Sequence, residues 1–130
     1  MKAAVLHAVG APLVIEDVDV QDPQPGEVLV KTSASGVCHS DLHFMEGSWA
    51  YPLPVVLGHE SAGIVEKVGA GVDHVKPGDR VVMAFVSSCG RCDRCVMGRP
   101  VLCQKTSPLG RPGRLSQGGK PVSQFASMSA

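Results

Sequence analysis

The stretch CGRCDRCVMGRPVLC holds four of the chain's five cysteines, Cys89, Cys92, Cys95 and Cys103, in the spacing C-x2-C-x2-C-x7-C. Four thiolates at about 2.3 Å from one zinc ion close a tetrahedral shell and leave no position for a substrate, so the spacing reads as a structural metal site. Two other chemistries also use clustered thiols. A bacterial iron–sulfur site favours C-x2-C-x2-C-x3-C-P, and the longer last gap here, with no proline after Cys103, departs from it. Disulfides need an oxidising compartment, and an odd cysteine count would leave one thiol over.

The fifth cysteine, Cys38, lies in GVCHSDLH, and His59 follows in LGHESAG. A thiolate and an imidazole are two ligands of the mixed sulfur and nitrogen set with which catalytic zinc keeps one position open, and a third ligand is wanted. Taken singly, Cys38 reads as a buried apolar thiol and His59 as a loop histidine with its hydrogen bonds made. Their company favours chemistry instead. Asp41 is a candidate to orient a metal-bound imidazole from behind, and Glu60 puts an acid beside His59. Ser40 and His43 offer a hydroxyl-to-imidazole path for a proton.

Short segments rich in Val and Ile must position these residues. AAVLHAV, PLVIEDVDV, GEVLVKTSAS, GIVEKVG and DRVVMAFV read as strands, with DPQPG, GAG and KPGD as turns, which gives a mainly-β barrel or sandwich. Val14, Val18 and Val20 are expected to share a face, and EVLVK and DRVVM to be buried on both sides. One short helix is expected over DLHFMEG, capped by Ser40 or Asp41. The cysteine lobe spans about 87–104, and the Gly-, Pro- and Ser-rich sequence after it reads as a long loop over about 105–124.

Composition narrows the function further. At 130 residues the chain is about one domain and can bury roughly two thirds of its unfolded surface without a staple. Twelve Lys plus Arg balance twelve Asp plus Glu, so no net field steers the chain onto nucleic acid or an anionic membrane. The N-terminal stretch, broken by His7, Gly10 and Pro12, lacks a signal peptide's apolar core, and no apolar run approaches the length of a membrane span. A soluble, cytoplasmic protein is expected, where clustered thiols serve metals more often than disulfides.

At GVCHSDLH, PLPVVLGHESAGIVEKVGAGV, VKPGDRVV and the four-cysteine lobe the sequence resembles the zinc-dependent medium-chain alcohol dehydrogenases over nearly its whole length. GKPVSQF is similar to the branch with a long loop after that lobe, the liver and glutathione-dependent formaldehyde types. The resemblance implies a GroES-like β-barrel with short helices and a zinc lobe, acting on a small alcohol or aldehyde by hydride transfer to NAD(P), in a homo-oligomer. It implies Cys38 and His59 as catalytic-zinc ligands, Asp41 behind the zinc histidine and Glu60 as the acid near the metal. Ser40 would take the alcohol proton, His43 would end the relay, and His39 would face the cofactor pyrophosphate. Trp49 and Phe85 match substrate-pocket positions, although core packing would otherwise be the reading of both. The structural zinc would fall to Cys89, Cys92, Cys95 and Cys103.

No G-x-G-x-x-G follows a strand anywhere in the chain, since GAGVDH lacks the third glycine. The cofactor-binding domain and the family's third catalytic-zinc ligand, a cysteine, are therefore expected beyond Ala130, and the chain reads as the N-terminal third of a longer enzyme, inactive alone. Two rival readings remain: a structural-zinc interaction module without catalysis, and a metal-free GroES-like reductase relative. A module leaves GHE without a purpose, and a metal-free relative has no use for Cys38 and His59 together.

Overall fold

Val, Ile and Ala dominate the segments that pair in this computed structural model, which describes residues 1–85, 88–104 and 115–124. In chain order the elements are β1 (Lys2–Leu6), β2 (Val14–Asp17), β3 (Asp19–Val20), β4 (Val28–Ser35), α1 (His39–Met45), β5 (Val55–Val56), β6 (Ser61–Val68) and β7 (Arg80–Val82). They continue with α2 (Asp93–Val96), a 3-10 turn (Pro100–Leu102), β8 (Leu115–Gln117) and β9 (Lys120–Gln124). The mainly-β expectation holds. The strands form a six-stranded sheet, β2-β1-β5-β9-β8-β3, and a three-stranded sheet, β4-β6-β7.

Successive side chains of a strand point to opposite faces, and β1 uses both. Val5 packs with Val18, Leu115 and Val122, whereas Leu6 packs with Val55 and with Phe44 of α1. One face of β1 thus packs against side chains of β8 and β9, strands of the same sheet, and the other against α1. Each such fully buried aliphatic side chain contributes about 1.5–3 kcal/mol relative to exposure. Anchored through Phe44, α1 holds its first turn at the end of β4, where the chemistry-bearing residues lie.

Several sequence expectations change on contact with the fold. PLVIEDVDV breaks at Val18, whose N–H donates to the Met1 carbonyl at 2.8 Å. The break takes Val18 into the core while Val14 and Val20 stay 45% and 38% exposed, so the three do not share a face. DRVVM is not buried on both sides, because β7 is an edge strand and Val82 is 81% exposed. In EVLVK, Val28, Leu29 and Val30 are half-buried. Helix α1 begins at His39 with Cys38 as its N-cap, so neither Ser40 nor Asp41 is the cap: both lie in the first turn, where Asp41 accepts the Cys38 N–H. Of the long loop expected over 105–124, residues 105–114 lie outside the described residues, and 115–124 form the β8–β9 hairpin. Its turn is Gly118–Gly119, with φ of 54° and 78°, the pair of positive angles that matches strand twist.

The β4–β6 ladder that frames the site constrains one glycine by space. A Cβ at Gly63 would run into the Lys31 carbonyl of the paired strand and meet Val30 Cγ1 at 2.8 Å, and a paired backbone cannot swing aside. Gly63→Ala is expected to lower stability by about 1–3 kcal/mol, the usual cost of overpacking. Gly71 has a φ of +80° and nothing near its missing Cβ, so Gly71→Asn, which tolerates that conformation, is expected to cost no more than about 0.5 kcal/mol. Urea denaturation of both variants checks the ranking, and equal losses would contradict it.

Candidate metal centres

Strands β4 and β6 run antiparallel with Ser35 opposite Ser61, so the residues that follow β4 lie beside those that precede β6. The Gly36 N–H donates to the Glu60 carbonyl at 2.9 Å and extends the ladder toward Cys38 and His59. β7 adds Val82 opposite Ala62, and the Met83 N–H donates to the Ser61 carbonyl at 2.8 Å. The three strand ends converge on a cleft of about 440 Å³ lined by Cys38, Ser40, His59, Glu60, Val82, Met83 and Phe85. There a sulfur of Cys38, a ring nitrogen of His59 and a carboxylate oxygen of Glu60 lie within 4.8 Å of one another, a set that can hold a metal ion.

Asp41 ties this set together. Its Oδ2 accepts the Cys38 N–H at 3.1 Å, its Oδ1 accepts the Gly58 N–H at 3.1 Å, and Oδ1 stands 3.5 Å from His59 Nδ1. Asp41 and His59 are 7% and 4% exposed, so the carboxylate has exchanged water for fixed donors. Ser40 Oγ lies 3.6 Å from Cys38 Sγ. His43 is one turn further along the same face of α1. Its Nδ1 is buried with no hydrogen-bond partner among the described residues, and its ring packs 4.8 Å from that of His39 and 5.0 Å from that of Trp49.

The remaining candidates divide. Phe85 lines the cleft with its ring 4.6 Å from that of His59. Trp49 stands outside that lining, against His43 and Phe44, and His39 is exposed at the start of α1. Val82 and Met83 join the lining without any chemical motif to mark them. Their signal lies in DRVVM, whose apolar side chains read as core although an edge strand beside the cleft carries them.

The second centre is the cysteine lobe. Cys92 caps α2, Cys95 lies within it, and Cys103 follows the 3-10 turn, which folds the thiols back on Cys89. All four sulfurs lie within 4.8 Å of one another, with Cys92 Sγ 3.5 Å from Cys95 Sγ and 3.8 Å from Cys103 Sγ. A tetrahedron with metal–sulfur distances of about 2.3 Å has edges of about 3.8 Å, so the set fits a four-thiolate ion. All five cysteines are free thiols. Backbone N–H groups, first that of Gln104, hold the Cys92 thiol below its ordinary pKa, while burial pushes Cys95 up to about 11. A divalent cation supplies the charge that lets all four ionise together.

Comparison with known proteins agrees with this geometry. The model of the alcohol dehydrogenase GroES-like domain matches residues 24–126. An NDMA-dependent alcohol dehydrogenase of Amycolatopsis methanolica is 45% identical over 124 residues, which cover 95% of this chain and 32% of the relative. An alcohol dehydrogenase of a Moraxella species is 50% identical over 113 residues, 85% of this chain and 33% of the relative. Among solved structures, an alcohol dehydrogenase zinc-binding domain protein from Burkholderia ambifaria superposes with a TM-score of 0.85 at 36% identity, over 95% of this chain and 35% of that one. Benzyl alcohol dehydrogenase from Acinetobacter calcoaceticus gives a TM-score of 0.80 at 34% identity, over 96% and 35%. The chain spans about a third of the length of the relatives it matches.

The four-sulfur lobe is built from neighbours in sequence and needs no other part of the fold to assemble. The reduced protein is expected to keep one zinc there through dialysis. Removing it, or changing Cys92 to Ser, is expected to lower the melting temperature and to loosen residues 88–104 in hydrogen exchange while β4 and β6 stay protected. Structural zinc contributes on the order of 10 kcal/mol of binding energy in small peptides, so the effect should be plain. A chelator that leaves melting and exchange unchanged would contradict the assignment.

Proposed function

The chain belongs to the alcohol dehydrogenase family, as its GroES-like N-terminal domain, and from that premise we propose that it supplies the metal-bearing face of a zinc-dependent enzyme that interconverts an alcohol and an aldehyde with NAD(P). The observation that carries the reading is the convergence of Cys38, His59 and Glu60 donors on an open cleft, with Asp41 fixing two of them from behind. Cys38 and His59 would hold the zinc, which when bound supplies a Lewis acid that makes the alcohol hydroxyl easier to ionise near neutral pH. With Nδ1 3.5 Å from the Asp41 carboxylate, His59 would offer Nε2 to the metal. The Glu60 carboxylate is the acid beside this pair.

Ser40, whose Oγ lies 3.6 Å from Cys38 Sγ, would accept the alcohol proton, and His43 would carry it outward. Among the described residues no hydrogen bond ties down the Nδ1 of His43, which is compatible with that role. Val82, Met83 and Phe85 form an apolar wall suited to the carbon chain of a small or slender alcohol. Trp49 acts on this face through His43, whose ring it packs against. His39, exposed at the head of α1, would meet the pyrophosphate of NAD(P), to the extent that it is protonated. The nicotinamide brings the hydride chemistry, and the protein positions the reactants. No dinucleotide fingerprint lies within these 130 residues, and in this reading cofactor binding and a third zinc ligand would come from sequence outside them.

The GKPVSQF motif after the lobe supports placement in the liver and glutathione-dependent formaldehyde branch, and a homo-oligomer is the expected assembly. Free thiols support a reducing, cytoplasmic setting, and among the described residues no helix is long and apolar enough to cross a membrane. A structural-zinc module explains the lobe but not the second donor set. A metal-free relative explains neither.

Metal analysis separates the three readings, with two zinc ions per subunit expected for the dehydrogenase, one for the module and none for the metal-free relative. In the enzyme that carries this domain, Ser40→Ala is expected to reduce kcat by about 10²-fold or more and to leave NAD(P) affinity unchanged. His43→Gln is expected to cost less and to be partly rescued by added buffer base. Equal loss of cofactor affinity in the Ser40 variant would move that residue out of the proton path. The 130-residue polypeptide alone, with excess zinc, NAD(P) and primary alcohols, is expected to give no turnover, because it brings two of the usual three ligands and nothing that fixes the nicotinamide.

A further inference from the structure

Gly36 poses a question that backbone conformation does not answer. Its φ lies outside the left-handed region, so any residue could adopt its dihedral angles, yet it stands between β4 and the N-cap of α1 at the mouth of the cleft. The three atoms nearest to a Cβ added there all belong to Glu60: the methyl would fall on Oε2 and lie 3.1 Å from Cβ and 3.4 Å from Cδ. Among the described glycines, Gly63 and Gly69 exclude a side chain because backbone carbonyls stand in the way, and Gly47 because of Val9. At Gly36 alone the excluding group is ionisable.

We infer that Gly36 is a positioning residue of the cleft, its missing side chain being the slot that admits the Glu60 carboxylate to the Cys38–His59 pair. The inference rests on the proposed metal reading of that pair and adds a requirement to it. The backbone of Glu60 has room for only a small shift, because the Gly36 N–H donates to its carbonyl at 2.9 Å and Ser61 Oγ donates to Ser35 Oγ at 3.2 Å just beyond. The severe overlap is with Oε2, the far end of a flexible side chain, so rotation of the Glu60 carboxylate away from Gly36 is the low-cost relief and shifts it relative to the Cys38–His59 pair. The 3.1 Å contact to Glu60 Cβ is left for a shift of a few tenths of an ångström. The fold should therefore tolerate the substitution while the site does not. This is the opposite of Gly63→Ala, which strains two paired strands.

Cobalt(II) tests this on the purified enzyme that carries this domain, because its visible bands report the donor set and its binding needs neither NAD(P) nor turnover. With the lobe filled by zinc, the wild-type enzyme is expected to bind one further cobalt in the cleft. Gly36→Ala is expected to weaken that cobalt by about tenfold or more and to change its bands, with lobe zinc retained. Glu60→Ala is expected to give a similar loss, and Gly36→Ala in the Glu60→Ala background no further one, since no carboxylate remains to displace. Unchanged affinity and bands in Gly36→Ala, or additive losses in the double variant, would overturn the role of Gly36 while leaving the metal reading intact. A wild-type enzyme that takes up no cobalt beyond the lobe would overturn the metal reading and this inference with it. If Gly36→Ala unfolds, recovery of the melting curve in the double variant would locate the clash at Glu60 as inferred, and failure to recover would locate it elsewhere and overturn the inference.

Discussion

The buried carboxylate of Asp41 is the interaction on which the cleft depends. It accepts one N–H from Cys38, on its own side of the fold, and one from Gly58, on the other, and it stands behind His59 Nδ1. A carboxylate removed from water without partners would cost several kcal/mol, and hydrogen bonds to a charged group are each worth about 1.5–3 kcal/mol, so two backbone donors offset the burial only while both segments stay in place. The backbones that carry the thiol and precede the imidazole are thereby held to one carboxylate, which stands 3.5 Å from the imidazole and need not touch a metal itself. β4 and β6 set the coarse distance, and Asp41 sets the fine one.

The two donor sets differ in what assembles them. Cys89, Cys92, Cys95 and Cys103 lie in one short stretch, and a local helix and a 3-10 turn suffice to gather them. Cys38 and His59 meet only because Ser35 pairs with Ser61. A one-residue slip of that pairing would turn every side chain of one strand to the opposite face and part the donors. A closed site near the surface stabilises its own lobe, whereas an open site at the end of a sheet borrows its geometry from the sheet and leaves room for a substrate. That division of labour follows from ligand count and from sequence separation together.

The cysteine spacing and the Cys38–His59 pairing are legible in the sequence, because metal ligands are few in kind and their order along the chain is restrictive. Asp41 is legible as a residue behind the imidazole but not as a helix N3 acceptor, since the capping role at Cys38 is not one that cysteine commonly plays. Strand positions are readable from Val and Ile content, yet facing is not. β7 is an edge strand, so its valines meet the cleft instead of the core, and edge and centre have similar composition. The β8–β9 hairpin is obscured by its Gly and Pro content, although Gly118–Gly119 between two short polar-apolar stretches is a signal for it. Gly36 carries no local signature, because the group that requires it arrives from 24 positions along the chain.

Cadmium-113 NMR of the cadmium-loaded enzyme that carries this domain tests most directly the claim that one fold presents a closed four-sulfur site and an open site of mixed donors. Two resonances of equal intensity are expected, one in the four-thiolate range and one shifted away from it by nitrogen and oxygen ligands. Addition of a primary alcohol should move only the second, and Cys38→Ser should abolish only the second. A single four-thiolate resonance, or a lobe resonance that responds to alcohol, would contradict the division between a structural and a catalytic centre.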